Sequence, residues 1–394
     1  MGEAATTDST PDLSGLRILG FCDHFTEVQG GGAEIVAREV YRYLQSRGAE
    51  IMVVSVVSGG ESGQATVHGV PTTSVRGRDL SRVFNAQVML SGRVTSVGRK
   101  AVTSFRPDVL HASSIHFRSA VSATRIARSV GLPLVTTAHV GSIQALPLPT
   151  RIAANIYEGT AGRFILRASD RVIAVSKNVA DHVATRRVPR DKVTVVNNGV
   201  DHKRFQPHQA PEGRMNILFV GRLINNKGPL EALQAFARLD ESSATLTFAG
   251  NGPMRERLAR EAARLGVGQA VIFLDRVDDV AGILSSSDIL IRPSLTEGQS
   301  LALLEAMAAG VCVVASDIPA NAELIEHGVT GLLARQGDIE DLADKLTGVL
   351  RDKQLRDRLA DAGHQRSLAF SWERCGAGTG AVLAATASKS KAEA

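Results

Sequence analysis

The stretch MNILFVGRLINNKGPL, residues 215–230, decides the fold. Ile217, Leu218, Phe219 and Val220 form an unbroken apolar run, which suits a strand buried on both faces. Gly221 closes the run, Arg222 and Lys227 flank a short polar loop, and Pro229 stands where a helix begins. Proline is favoured in the first helical turn, and the free N–H groups of such a turn attract anions. Two cations beside a helix N-terminus make a phosphate site; the plain alternative is a pair of solvated loop cations.

The same strand–loop–helix unit recurs on both sides of this stretch. Downstream come ATLTFAG (244–250), AVIFL (270–274), DILIRPS (288–294) and VCVVAS (311–316), with amphipathic segments between them. Upstream, across the polar, proline-containing segment QPHQAPEGR (206–214), a first series runs LRILGF (16–21), IMVVSVV (51–57), DVLHA (108–112), PLVTTAH (133–139), RVIAV (171–175) and KVTVV (192–196). Alternation of this kind predicts parallel α/β sheets. Two doubly wound, Rossmann-like domains of similar size are therefore expected, 14–206 and 207–369, facing an interdomain cleft. In such sheets ligands bind outside the carboxyl ends of the strands. The termini, 1–13 and 384–394, read as disordered tails.

With 394 residues, 44% hydrophobic and 22% charged, the chain is an ordinary globular protein long enough for two large cores. Nine of its 45 basic residues are Lys and 36 are Arg, without a basic block interleaved with aromatics, so no nucleic-acid partner is expected. The three cysteines, Cys22, Cys312 and Cys375, are far apart and suggest neither a disulfide framework nor a metal site. The polar start MGEAATTDSTPD and the lack of a long apolar run lead us to expect a cytoplasmic protein.

Chemistry gathers where the strands end. After DILIRPS comes TEGQSLALLEA, with Glu297 in the loop, Ser300 placed to cap the next helix, and Glu305 inside that apolar helix. A buried carboxylate costs several kcal/mol, order of magnitude, unless it is paired or hydrogen-bonded. Vicinal hydroxyls such as those of a ribose would satisfy Glu305, and so would an internal arginine. Gly30, Gly31 and Gly32 precede a helix and let backbone approach a bulky anion, while His139 ends the strand PLVTTAH. The string GNGPMR after ATLTFA lacks the third glycine of the dinucleotide fingerprint and reads as a tight turn. Ser176, after RVIAV, reads as a helix N-cap.

Together these pieces resemble the retaining glycosyltransferases of family 4, which have the GT-B fold. The signature Glu-x7-Glu is met by Glu297 and Glu305 in EGQSLALLEA. GR…NNKG matches the family's cation pair, GGAE (31–34) its glycine loop, TTAHVG its strand-end histidine, NNGVD (197–201) its interdomain segment, and FSWE (370–373) the start of a C-terminal helix, about 370–383, that packs back on the first domain. The resemblance implies that Glu305 receives the ribose hydroxyls of a nucleotide-sugar donor. It implies that Glu297 orients the donor sugar, Arg222 and Lys227 neutralise the diphosphate, and residues Gly298, Gln299, Ser300 and Leu301 hold sugar and phosphate. Gly31 and Gly32 would approach the diphosphate from the other domain, and His139 the sugar near the acceptor. Where the family usually reads EGFGL, this chain has Gln299 and Ser300, which leaves the sugar open.

The resulting expectation is a retaining glycosyltransferase, of the hexosyl or N-acetylhexosaminyl class, that moves sugar from a UDP- or GDP-sugar to a hydroxyl by front-face substitution. No cofactor or metal is expected, since no D-x-D occurs in the chain. A phosphorylase or inverting transferase on the same fold, or a binding protein without turnover, remains the alternative. Acceptor contacts are sought at 111–118, 140–150 and 78–106. The last, with its arginines beside Val83, Phe84, Val88 and Phe105, is also the candidate for weak peripheral membrane contact, against docking on its own sheet. The oligomeric state stays open.

Overall fold

The computed structural model describes residues 12–28, 31–58, 62–79, 89–207, 213–239 and 244–393. Its first sheet contains β1 (Arg17–Phe21), β2 (Glu50–Val57), β3 (Gly63–Val67), β4 (Val70–Arg76), β7 (Val109–Ala112), β8 (Leu134–Ala138), β9 (Arg171–Ala174) and β10 (Val193–Val195), in the order β10-β9-β8-β7-β1-β2-β4-β3. A separate two-strand pairing joins β5 (Arg78–Asp79) and β6 (Met89–Leu90). The second sheet contains β11 (Met215–Val220), β12 (Ala244–Ala249), β13 (Val271–Leu274), β14 (Ile289–Arg292), β15 (Cys312–Ser316) and β16 (Leu332–Ala334), in the order β13-β12-β11-β14-β15-β16. All pairings in the second sheet are parallel, and in the first only β3–β4 is antiparallel.

The central strands carry the continuous apolar runs because helices cover both of their faces. Ile18 pairs in register with Ile51 on one side and Val109 on the other, and all three are buried. In the second domain Ile217, Phe219, Phe248 and Ile291 are buried in one cluster with Leu233 and Phe236 of the helix Pro229–Phe236. Expectation and structure therefore agree on two doubly wound sheets.

Three boundaries differ from the sequence reading. Leu13, assigned above to a disordered tail, is buried in the first core, and its N–H donates to the Arg47 carbonyl. Val200 and Phe205 pack with Leu304 and Met307 in the second core, so the chain changes domain before 200 rather than at 206. At the other end one helix runs from Trp372 to Glu393, through residues expected to be disordered. Leu383 and Ala387, four apart, keep it on the first-domain core, and the Lys391 ammonium pairs with Asp108 at 2.7 Å. Residues 1–11 and 208–212 lie outside the described residues.

Candidate active site

Between the two sheets lies a cleft of about 1320 Å³, open to solvent and lined by strand-end loops of both domains. Gly31, Gly32, Arg222, Lys227, His139 and the whole of Glu297–Leu301 border it, as does Glu305. The structure thus brings together every site residue expected from the sequence; Gly30 is outside the described residues.

Glu297 is the most heavily bound group there. One carboxylate oxygen, Oε1, accepts from Arg292 Nη2 (2.9 Å), Arg292 Nε (3.1 Å) and Ser294 Oγ (2.8 Å). The other, Oε2, accepts from Lys227 Nζ at 2.6 Å. Burial alone would raise the Glu297 pKa, but the charges of Lys227 and Arg292 and these hydrogen bonds bring it down to about 2. Glu297 is therefore ionised and fixed in orientation. Arg292 was missed by sequence reading. It closes β14, its own Nη1 donates to the Val220 carbonyl, and it is only 5% exposed. An arginine ending an otherwise apolar strand, five residues before a glutamate, was the available signal.

Arg222 borders the same loop, where burial lowers its pKa and the charges of Glu34 and Glu297 partly offset that. Burial lowers the Lys227 pKa, an effect Glu297 partly offsets. Around Arg222 the acting charges are Lys227 and Arg292 against Glu297 and Glu34, so this group of five holds one more cation than anion. Elsewhere the cleft is lined by Arg38, Arg204 and Arg276 against Glu27 and Glu305. Excess charge in a partly desolvated pocket is expensive until an anion arrives.

Glu305 lies in the helix Leu301–Ala308, capped at its start by Ser300 Oγ, which accepts from the Leu303 N–H. No hydrogen bond or ion pair reaches its carboxylate among the described residues; Arg204, Arg292 and Arg38 act on it only from a distance. Burial dominates and pushes its pKa up to about 7. The internal arginine partner considered above is absent among the described residues, which leaves two acceptor oxygens available at the cleft wall. Val277, Val280 and Ile283, packed on the core that holds Leu303 and Leu304, form an apolar part of the same cleft's lining.

The first domain supplies the opposite wall. Gly31 precedes, and Gly32 begins, the helix Gly32–Ser46, whose first turn has no side-chain cap. Leu301 reaches across to within 3.7 Å of where a Gly32 side chain would start. His139 Nε2 lies 2.8 Å from the Ser113 carbonyl and so carries the hydrogen, leaving Nδ1 as an acceptor. Burial lowers its pKa to about 4, so the imidazole is neutral near pH 7.

The two walls meet along a seam built from Glu297–Gln299. A Cβ on Gly298 would sit 2.0 Å from the His139 carbonyl oxygen, so only glycine permits this approach. Ser176 Oγ accepts from the Val179 N–H, as expected of a cap, and also donates to the Gly298 carbonyl at 2.8 Å. Gln299 Oε1 accepts from the Asn198 N–H at 2.5 Å, so this side chain braces the interdomain segment. Glu323, from the second domain, caps the first-domain helix Lys177–Thr185 by accepting from the N–H groups of Lys177 and Asn178. None of these long-range partners was visible in the sequence. Of the acceptor-side candidates, His116, Val140, Ile143, Leu146, Pro147 and Thr150 border the cleft. Residues 80–88 lie outside the described residues, and the helix Val94–Phe105 buries Val94, Gly98 and Ala101 against its own domain.

Two facing Rossmann-like domains with cations at the strand ends of the second are the architecture of the GT-B class of glycosyltransferases. Anabaena Alr3699/HepE, solved with UDP-glucose, superposes with a TM-score of 0.75 at 18% identity, covering 95% of this chain and 100% of that one. Residues 30–204 match Glycosyltransferase Family 4, and residues 200–366 match Glycosyl transferases group 1. Glycogen synthase of Mycobacterium tuberculosis strain H37Rv is 30% identical over 290 residues, covering 72% of this chain and 70% of that protein. Phosphatidyl-myo-inositol mannosyltransferase of Mycobacterium leprae is 29% identical, covering 91% and 93%. The chain belongs to glycosyltransferase family 4.

Proposed function

We propose that this glycosyltransferase takes its sugar from a nucleoside-diphosphate sugar and transfers it, with retention of anomeric configuration, to a hydroxyl acceptor. The observation that carries the reading is the pairing of a cation-rich pocket with an unpartnered carboxylate beside it. The diphosphate meets Arg222 and Lys227, while Arg292 stays committed to Glu297, and the ribose diol donates to Glu305. The base lies against Val277, Val280 and Ile283. HepE was crystallised with UDP and with UDP-glucose, which makes a uracil base the first to test.

As the anomeric bond breaks, charge develops on the leaving diphosphate. Preformed donors aimed at such charge are usually the largest single contribution to catalysis. Arg222, Lys227 and the first turns of Gly32–Ser46 and Pro229–Phe236 provide them. The departing phosphate oxygen takes the acceptor's proton on the face it leaves, so the new bond forms on that same face. Glu297, ionised and held by Arg292, orients the sugar and stabilises developing positive charge at the anomeric carbon. His139 offers its Nδ1 acceptor to a sugar hydroxyl. Charge on the leaving group is met by side chains, so the reaction proceeds without a divalent metal.

A thermal-shift panel with UDP, GDP, ADP and dTDP tests the donor reading. A nucleotide at a hundred times its dissociation constant adds about 2.7 kcal/mol of stability. Absence of any shift with all four would overturn the proposed donor site. NMR of the anomeric proton in the product, with and without EDTA, then checks retention and metal independence.

A further inference from the structure

We propose that the outer face of the helical run 148–168 docks this protein on an anionic lipid bilayer. Leu148, Ile152 and Ile156 are 58%, 51% and 62% exposed. Their spacing of four places them in one stripe along the helix Leu148–Tyr157, in which no residue is buried. A π-helical turn, Glu158–Gly162, joins this helix to Arg163–Ala168. There Arg163 and Arg167, with Arg128 from the helix Arg118–Val130, line a groove of about 590 Å³ beside Phe164. Arg163 follows Ile156 by seven residues, about 10 Å along such a run. None of the three arginines has a carboxylate within 4 Å among the described residues.

An apolar stripe continued by unneutralised arginines suits a surface that is apolar below and anionic on top. The stripe enters the acyl boundary while the guanidiniums meet lipid phosphates. A second copy of the chain is a poorer occupant, because a twofold contact would bring this groove against an identical groove with no carboxylates to answer it. The helix Val94–Phe105, within the segment first considered for membrane contact, buries Val94, Gly98 and Ala101 and packs Val97, Val102 and Phe105 partly on its own domain's core. Thr150 and Ala154, on the other side of Leu148–Tyr157, border the cleft. Docking therefore sets the acceptor wall of the cleft at the bilayer, where a lipid-borne hydroxyl would be presented. The proposal goes beyond the donor reading and does not depend on it.

Flotation of the full chain with phosphatidylcholine vesicles, with and without phosphatidylglycerol, and without nucleotide, tests it. Wild type should float only with the anionic vesicles and be released at about 0.5 M NaCl, where the Debye length has shrunk to about 4 Å. Leu148→Ser/Ile152→Ser/Ile156→Ser should weaken binding about a hundredfold. Arg163→Gln/Arg167→Gln should weaken it about fivefold per arginine. Both variants should keep the wild-type thermal midpoint, because Leu148, Ile152, Ile156 and Arg167 are exposed and half-buried Arg163 makes no side-chain hydrogen bond or ion pair among the described residues. Failure of wild type to float, or unchanged flotation of the triple variant, would overturn the proposal. So would a wild-type dimer that the triple variant converts to a monomer, since a second copy would then be the occupant.

Discussion

Glu305 gives the sharpest test of the donor site, because its free and ligand-bound states differ in protonation. With its pKa at about 7, the carboxyl is half protonated near neutral pH in the free protein. A ribose diol donates two hydrogen bonds only to the carboxylate, so binding must expel that proton. Apparent affinity for a nucleoside-diphosphate sugar then lies about elevenfold below its alkaline plateau at pH 6, and about twofold below it at pH 7. Affinity should accordingly rise about fivefold from pH 6 to 7, and by less than about twofold from 7 to 8. Calorimetry in two buffers of different ionisation enthalpy should report about half a proton released per ligand at pH 7. Glu305→Gln should abolish both the pH dependence and the release, and should weaken binding about tenfold at pH 8, the difference between a charged and a neutral acceptor. Stability carries the opposite sign. The folded pKa lies above the ordinary 4.5, so the free protein loses stability as pH rises from there through about 7, by up to roughly 3 kcal/mol. The Gln variant escapes that loss, so its midpoint should exceed wild type more at pH 8 than at pH 5. Affinity that is flat between pH 6 and 8, or a Gln variant that keeps the wild-type profile, would refute the reasoning.

Arg292→Met should lower turnover about a hundredfold while leaving nucleoside-diphosphate affinity within a fewfold of wild type, because it frees Glu297 rather than the phosphates. Steady-state rates beside calorimetric Kd values will show it, and equal losses in both would place Arg292 on the diphosphate. Gly298→Ala should push the Glu297–Gln299 loop off the His139 carbonyl and reduce both activity and thermal midpoint; a crystal structure with the loop unmoved would contradict this. Glu158 is 1% exposed and bound by His116, His182 and Arg186. Burial favours its neutral form, but hydrogen bonds from the two histidines hold its pKa well below the usual carboxylate range. Its stabilisation is therefore complete above about pH 4.5 and lost as pH falls below it. Glu158→Ala should cost about 3 kcal/mol in urea denaturation at pH 7, and less than 1 kcal/mol would remove it from the domain's framework.

The sequence revealed those parts of the protein that are local along the chain. MNILFV followed by a polar loop and Pro229 is legible because strand, turn and helix start are neighbours. Glu305 stood out because an acidic residue interrupts an apolar helix. Arg292 did not, since its partners are a glutamate around a turn and the carbonyl of Val220 on the next strand. Glu323 and the helix it caps lie 145 residues apart, a distance no periodicity reports. The edge pair β3–β4 was missed although His68 and Gly69 both have positive φ, the geometry of a two-residue hairpin turn. The C-terminal segment misled for a different reason. Its Lys, Ser and Ala suit an exposed tail as well as they suit the outer faces of a helix, and its inner side is marked by no more than Leu383, Thr386 and Ala387 among the described residues from 383 on.

The helix Trp372–Glu393 has a consequence for how the chain is made. It completes the core around Tyr41 and Leu44 with residues that follow the entire second domain in sequence. During synthesis the first domain must wait, with that apolar groove unfilled, while more than a hundred and fifty further residues emerge and fold. The second domain, contiguous in sequence, is free to fold ahead of it, although N-terminal units usually fold first on the ribosome. Nascent chains stalled before residue 372 should therefore offer a protease the first domain and withhold the second.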